Sequence, residues 1–410
     1  MAAGRVEPTV TGREPPGSEP TDASGDPGAG SRQSRRERRR RADRKRRILF
    51  VVPSVAIAVF GVFFIGQIAR DSGDDSGSAP ADNVDAGQVA SSADTLLLEH
   101  RASDGRADLL VVVGPGADGG SSVLLVPSGT LSDVPSLGIQ ALSDVPTLGE
   151  AGLLTTTVEN LLGIDIASTA TVDDAALVAA LAPAAPIPVD LQQEVEITTP
   201  GAEAIVPAGR QSLSAEDAAR VLTAPEAGGE IEHLVTVQAV LDGWMTRLRN
   251  DDVADATLAV RPDLAALVDA ADRPVRVGSL PVDSLATPGG DRFEVRTDDL
   301  ERYIRRAFPG ALLGIDGRRP RVEILNGTGA VGVTQGAARR VVPAGGRVAL
   351  TGNVPGFDVA ETQVVYYRDR DRASAQRLLE ALECGSLRRA NKAIDVVDVT
   401  VIIGADCPDI

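Results

Sequence analysis

GRADLLVVVGPGADGGSSVLLVPSGT, residues 105–130, decides how this chain folds. The run ADLLVVVG around Asp108 is short and apolar and ends in Gly-Pro-Gly, the pattern of a buried strand. GADGG makes a turn, and SVLLVP, to Pro127, returns as a second strand. The pair predicts a hairpin inside a sheet, with order beginning near Thr95.

Helices and strands alternate after it. In EAGLLTTTVENLLG, Leu153, Leu154, Val158, Leu161 and Leu162 share one helical face, and Gly163 ends the helix. IDIASTATV is a strand, and VDDAALVAALAP is a helix with an acidic first turn and a proline stop. PIPVDL is an edge strand, because Pro186 and Pro188 cannot donate to a ladder. Ser214-Ala-Glu-Asp217 opens a helix by capping. A longer helix runs from about Glu230 to Leu248, with Leu234, Val237, Val240, Leu241 and Trp244 as its buried stripe. A single further helix is expected over roughly 253–271, then extended, turn-rich chain, then a short helix in DDLERYIRRAFPG. Such alternation indicates an α/β sheet with helical layers. SDVPSLG and LSDVPTLG share turn chemistry and are too short for a structural repeat.

From Arg321 the order becomes β-α-β-β-α-β, which suggests a small ferredoxin-like or related split βαβ unit. Arg318-Arg319-Pro320 marks its start.

Upstream, Ile48 to Ala69 reads ILFVVPSVAIAVFGVFFIGQIA and carries no charge. At about 1.5 Å per residue a helix of that length reaches roughly 33 Å, enough to cross a bilayer. Arg35 to Arg47 is strongly basic and DSGDDSGSAPAD follows the span, so the N-terminus is expected inside and the rest outside. Basic clusters of this kind also bind anionic lipid. A cleaved signal peptide fits less well, given 47 preceding residues. The expected layout is a disordered basic tail (1–47), a membrane helix (48–69), a linker (70–94), a first domain (95–317) and a second (318–410).

The formal net charge is -17. Residues 1–47 hold thirteen Arg/Lys against seven Asp/Glu, a surplus of six, so the remainder carries -23. A part so acidic does not cling to polyanions without a local basic patch, and no DNA-reading motif follows the basic arm; no nucleic-acid partner is expected. Cys384 and Cys407 are the only cysteines. In an oxidising compartment such a pair is expected to join, contributing about 3 kcal/mol.

The elements from Thr95 to about Phe308 resemble the LytR-CpsA-Psr domain of bacterial envelope proteins. The likeness is carried by GRADLLVVVGPGADGGSSVLLVPSGT, TVENLLGIDI, VPAGRQSLSAEDAARVL and the helix through Trp244. The C-terminal unit, with VEILNGTGAVG, FDVAETQVVYY and DVTVIIGAD, resembles the LytR C-terminal domain. A single-pass anchor with an internal N-terminus also suits that family. Its active members transfer glycopolymers from a polyprenyl-pyrophosphate carrier to the cell wall, and arginines and a carboxylate-bound metal hold the diphosphate.

Asp108 stands where the resemblance implies a metal-binding aspartate, with Arg106 beside it. The family's Pro-Arg-Asp-Thr turn, however, reads Pro127-Ser128-Gly129-Thr130, and LLLEHRAS lacks the aspartate expected before the hairpin. Where the family places further arginines, this chain has Glu230, Glu232 and His233. The expectation is therefore a degenerate, non-catalytic envelope protein of α/β fold, binding or scaffolding wall glycopolymer, its lipid-linked precursor or an active family member. The alternative is an active transferase using Mg²⁺ and arginines from other positions, such as Arg210 and Arg220. On the bland reading Asp108 only starts a strand, and His100 and His233 only pack or face solvent. Asn326-Gly327-Thr328-Gly329 either receives an anion on its N–H groups or is a turn selected for φ > 0. No cofactor is expected outside the Mg²⁺ alternative.

Overall fold

Alternate residues of three adjacent strands enter two different cores. β1 (Leu96–Arg101), β2 (Ala107–Pro115) and β3 (Ser121–Val126) pair antiparallel in sequence. Leu96, Leu98, Val111, Val113, Val123 and Leu125 belong to one cluster, and Leu97, Leu110, Val112, Leu124 and Val126 to the other. A sheet buried on both faces needs apolar residues at every position, which is why ADLLVVVG shows no polar alternation. The computed structural model describes residues 94–199, 202–224, 229–285, 290–315, 317–392, 394–408 and 410. The expected tail, membrane helix and nearly all of the linker lie outside these residues. Among the described residues no helix is long and apolar enough to cross a membrane.

On one face of the sheet, α1 (Leu153–Leu162) supplies Leu153, Leu154 and Val158. β4 (Ser168–Val172) then pairs parallel with β1. The other face is covered by α2 (Asp174–Leu181), whose first turn is capped by Asp173. β5 (Ile187–Leu191) and β6 (Gly209–Leu213) form a two-stranded ladder. α3 (Ala215–Thr223) starts with the Ser214 hydroxyl accepting from Asp217 N–H. α4 (Glu230–Leu248) buries Val237, Val240, Leu241 and Trp244, the last with no exposed surface. Truncating a tryptophan so placed costs about 3–5 kcal/mol.

The single helix expected over 253–271 is instead two. α5 (Asp251–Val260) and α6 (Ala265–Ala271) are separated by a short 3-10 turn at Pro262–Leu264. Pro262 lacks the N–H that would continue the helix, and Arg261 before it leaves helical geometry at φ -138, ψ 79. β7 (Val275–Ser279) completes the sheet, in the order β7-β3-β2-β1-β4. β8 (Val282–Leu285) and β9 (Arg292–Val295) make a hairpin, and α7 (Thr297–Ala307) returns to the α1 face with Leu300 and Ile304.

The C-terminal region has its own core. It comprises β10 (Arg321–Asn326), α8 (Val333–Val341), β11 (Arg347–Asn353), β12 (Gln363–Tyr366), α9 (Arg372–Leu382), β13 (Ser386–Arg389) and β14 (Val399–Ile403). The sheet order is β11-β10-β14-β12-β13. The ferredoxin-like expectation is corrected here. β10 pairs parallel with both β11 and β14, and β13 is an additional parallel edge strand. Only β12 against β14 is antiparallel. SLRR carries no apolar alternation; Leu387 packs against the C-terminal core, and backbone pairing with β12 sets the strand at the edge. Cys384 and Cys407 are joined, with Cα atoms 5.8 Å apart.

Candidate functional site

The turn at Pro127–Thr130 leaves β3 on the C-terminal side of the hairpin that opens the fold. Glu230, the first residue of α4, places its carboxylate against this turn. The N–H of Ser128 donates to Oε1, and that of Gly129 to Oε2 at 3.0 Å. Asp291, just before β9, accepts the N–H of Glu230 at 2.7 Å, one of the N–H groups a helix start leaves without an intrahelical partner. Burial drives the Glu230 carboxyl pKa up, the N–H donors pull it down, Asp291 adds to the rise, and the net shift is upward. A Cβ at Gly129 would stand 2.5 Å from the carbonyl oxygen of Asp291, so the turn admits no side chain there.

Two cations approach the same region. Arg106 Nη2 lies 2.7 Å from Asp144 Oδ1, and Arg292 Nη2 lies 3.7 Å from Asp144 Oδ2. Arg106 also donates to the Ser143 hydroxyl, whose backbone N–H is held by the Ser128 carbonyl. Arg292 reaches the turn because β9 runs beside it, with Phe293 N–H donating to Gly129 O. Neither Asp144 nor Arg292 carries a sequence signal for this role; they meet through tertiary pairing.

Asp108 has a separate partner. His100 is 1 % exposed and faces Asp108 with Nδ1 2.5 Å from Oδ1. Its Nε2 lies 3.2 Å from Asp174 Oδ1, at the start of α2. Burial lowers the pKa of the ring, but the two carboxylates outweigh it, and the net value lies above the ordinary 6.5. The register explains the contact. His100 pairs with Leu109 and Arg101 with Ala107, so Asp108 is the extra residue of a bulge, and a bulge re-aims its side chain. His100, expected only to pack or face solvent, is thus a buried base clamped between two acids. Arg106 and Asp108, two residues apart in sequence, engage different partners. Among the described residues no group of three or more His, Cys, Asp or Glu is arranged to hold a metal ion.

The remaining candidates are accounted for locally. His233 Nε2 pairs with the Leu222 carbonyl at 2.9 Å. In the 326–329 turn, the Asn326 side-chain oxygen accepts the N–H groups of Thr328 and Gly329, and Gly327 N–H donates to Ile403 O. The three N–H groups that would receive an anion are already used, so the turn is fastened by its own asparagine. Gly329 is the residue with positive φ, at 79°. Arg210 lies 3.8 Å from Asp190 on the β5–β6 ladder, and Arg220 pairs with Asp217 one turn earlier on α3.

Arginines that could bind a diphosphate are therefore outnumbered at the turn. Arg106 and Arg292 share Asp144, and the carboxylates of Glu230 and Asp291 engage the backbone N–H groups of the turn and of the α4 start. An incoming anion meets a carboxylate already holding the N–H donors, and a like-charge pair at 4 Å costs about 4 kcal/mol near a protein surface.

Among known proteins, residues 319–406 match the family model for the LytR cell envelope-related transcriptional attenuator. No curated protein matches the chain. Solved structures similar to it include B. subtilis TagV, at 16 % identity over 53 % of this chain and 96 % of that one, with a TM-score of 0.45. A LytR-Csp2A-Psr enzyme from Actinomyces oris is 18 % identical over 53 % of this chain and 90 % of that one, TM-score 0.43. TagT bound to LI-WTA is 15 % identical over the same shares, TM-score 0.43. Residues 319–406 of this chain are a LytR C-terminal domain.

Proposed function

We propose that this chain is a non-catalytic LytR-CpsA-Psr-like protein of the bacterial cell envelope, which binds or scaffolds wall glycopolymer or its lipid-linked precursor. One observation carries the reading: the Glu230 carboxylate occupies the N–H groups of the 127–130 turn, where the family resemblance implies arginine-held phosphate. Asp108, the position implied for the metal, is engaged by His100. The LytR C-terminal domain supports the envelope setting. The apolar stretch 48–69 behind its basic flank supports a single-pass anchor with the N-terminus inside, in which case both domains face the wall.

The active alternative, a transferase with a non-standard site, has one observation in its favour: Arg106 and Arg292 both reach Asp144 beside the turn. Mass spectrometry of what co-purifies with the full-length protein distinguishes the two. Wall-polymer fragments without carrier are expected from a binder of polymer. Carrier-linked polymer that, on adding peptidoglycan, passes its polymer-bearing phosphate to a peptidoglycan hydroxyl and releases polyprenyl monophosphate would refute the non-catalytic reading.

A further inference from the structure

A cavity of about 470 Å³ opens where α1, α7 and the start of the C-terminal domain meet. Its apolar wall includes Leu161, Leu162, Leu300 and Ile304, and its remaining lining is unusual for so acidic a chain. Four guanidinium groups, those of Arg305, Arg318, Arg319 and Arg347, line it, against Glu301 as the carboxylate among the described lining residues. It uses none of the residues around Glu230.

The four arginines are not equally committed. Arg318 pairs with the buried Asp371 at 2.5 Å. Arg319 spends its Nη groups on the carbonyls of Asn160 and Gly346 and on the Asn160 side chain, with no carboxylate within ion-pair distance. Burial, with Arg347 adding repulsion, pushes its pKa down to about 10. Among the described residues the Arg305 side chain reaches only the Gly317 carbonyl, at 3.5 Å, and Arg347, whose backbone N–H donates to Pro320 O, has no partner for its side chain. Among the described residues, the side chains of Arg305 and Arg347 thus bring positive charge to an apolar wall with no carboxylate in ion-pair contact, while Arg318 is neutralised by Asp371 and Arg319 feels Glu159.

Guanidinium groups entering from three elements — α7, the interdomain link and β11 — suit an anion that offers oxygens in several directions. A planar carboxylate satisfies one fork, whereas a tetrahedral phosphate offers oxygens to each. We propose that this cavity binds an organic phosphate, its oxyanion on Arg305 and Arg347 and its hydrocarbon part against Leu161, Leu300 and Ile304. The bound anion would tie the C-terminal domain to the first domain through Arg347.

Isothermal titration of the full-length protein with n-butyl phosphate and with inorganic phosphate tests this. Saturable binding of butyl phosphate is expected, at least tenfold tighter than inorganic phosphate because the alkyl chain leaves water. Arg347→Ala and Arg305→Ala are each expected to weaken it tenfold or more without moving the unliganded thermal midpoint. Should one variant shift that midpoint, the other, on the opposite wall, carries the test. The proposal is overturned by absence of saturable binding, by equal affinity for the two phosphates, or by affinity unchanged in both variants.

Discussion

Nδ1 of His100 and Oδ1 of Asp108 stand 2.5 Å apart across the first strand pair, at the bulge that makes Asp108 the extra residue. Because the ring is buried and its pKa is raised, it binds a proton more tightly folded than unfolded. That contribution to stability is present in full below about pH 6.5, the unfolded value, and is lost as pH rises through the folded value. NMR titration of the His100 ring is expected to give a pKa above 6.5, and Asp108→Asn to lower it. Losing the charged partner is expected to cost about 1–2 kcal/mol below pH 6.5, a figure kept small because the carboxylate is one-third exposed. An unchanged ring pKa in Asp108→Asn would contradict the assignment.

The Glu230 contact makes a second prediction. Glu230→Ala leaves two turn N–H groups without their acceptor and is expected to cost about 1–3 kcal/mol in urea melts. Gly129→Ala is expected to destabilise by a similar about 1–3 kcal/mol, since its Cβ would press on the Asp291 backbone, which cannot swing away as a side-chain end would. A neutral Gly129→Ala would contradict the packing at the turn.

The contact between the domains runs through a buried amide, with a buried acid beside it in the chain. Asn160 on α1 donates to Val348 O and accepts Val348 N–H, both at 2.9 Å, as a neighbouring strand would. Its neighbour Glu159 is 4 % exposed, and burial raises its pKa from 4.5 to about 7, with Ile166 N–H and Arg319 opposing and Asp165 adding to the rise. A raised folded pKa means stability is full below about pH 4.5 and falls as pH climbs through about 7, by about 3 kcal/mol in all. Glu159→Gln is expected to flatten this fall in denaturant midpoints measured between pH 4.5 and 8. A slope identical to the parent's would rule out Glu159 as its source. Asn160→Ala is expected to cost about 2–4 kcal/mol and to lower the cooperativity between the two domains.

The hairpin, α1, α4 and the alternation of the C-terminal domain were legible because burial writes itself into apolar period and capping. α4 runs from Glu230 to Leu248, as its apolar stripe places it. Pro262 was a visible break whose consequence is evident only against the strong helix formers on both sides. β13 was hidden because an edge strand of polar residues has no period to read. The site was half legible: the lost arginine and its carboxylate show in Ser128 and Gly129, but what replaced them does not. Glu230 is about one hundred residues from the turn it fills, and Arg292 and Asp144 meet only through the β9 register. His100 looked solitary because its acids come from a bulge on the next strand and from the start of α2.

The central claim is that carboxylates have displaced the cations needed to hold a diphosphate. Its most direct test is glycopolymer transfer by the full-length protein with Mg²⁺, a pyrophosphoryl-lipid donor and peptidoglycan acceptor, beside Asp108→Ala. No turnover above background in either protein is the predicted result. Turnover in the parent that disappears in Asp108→Ala would contradict it.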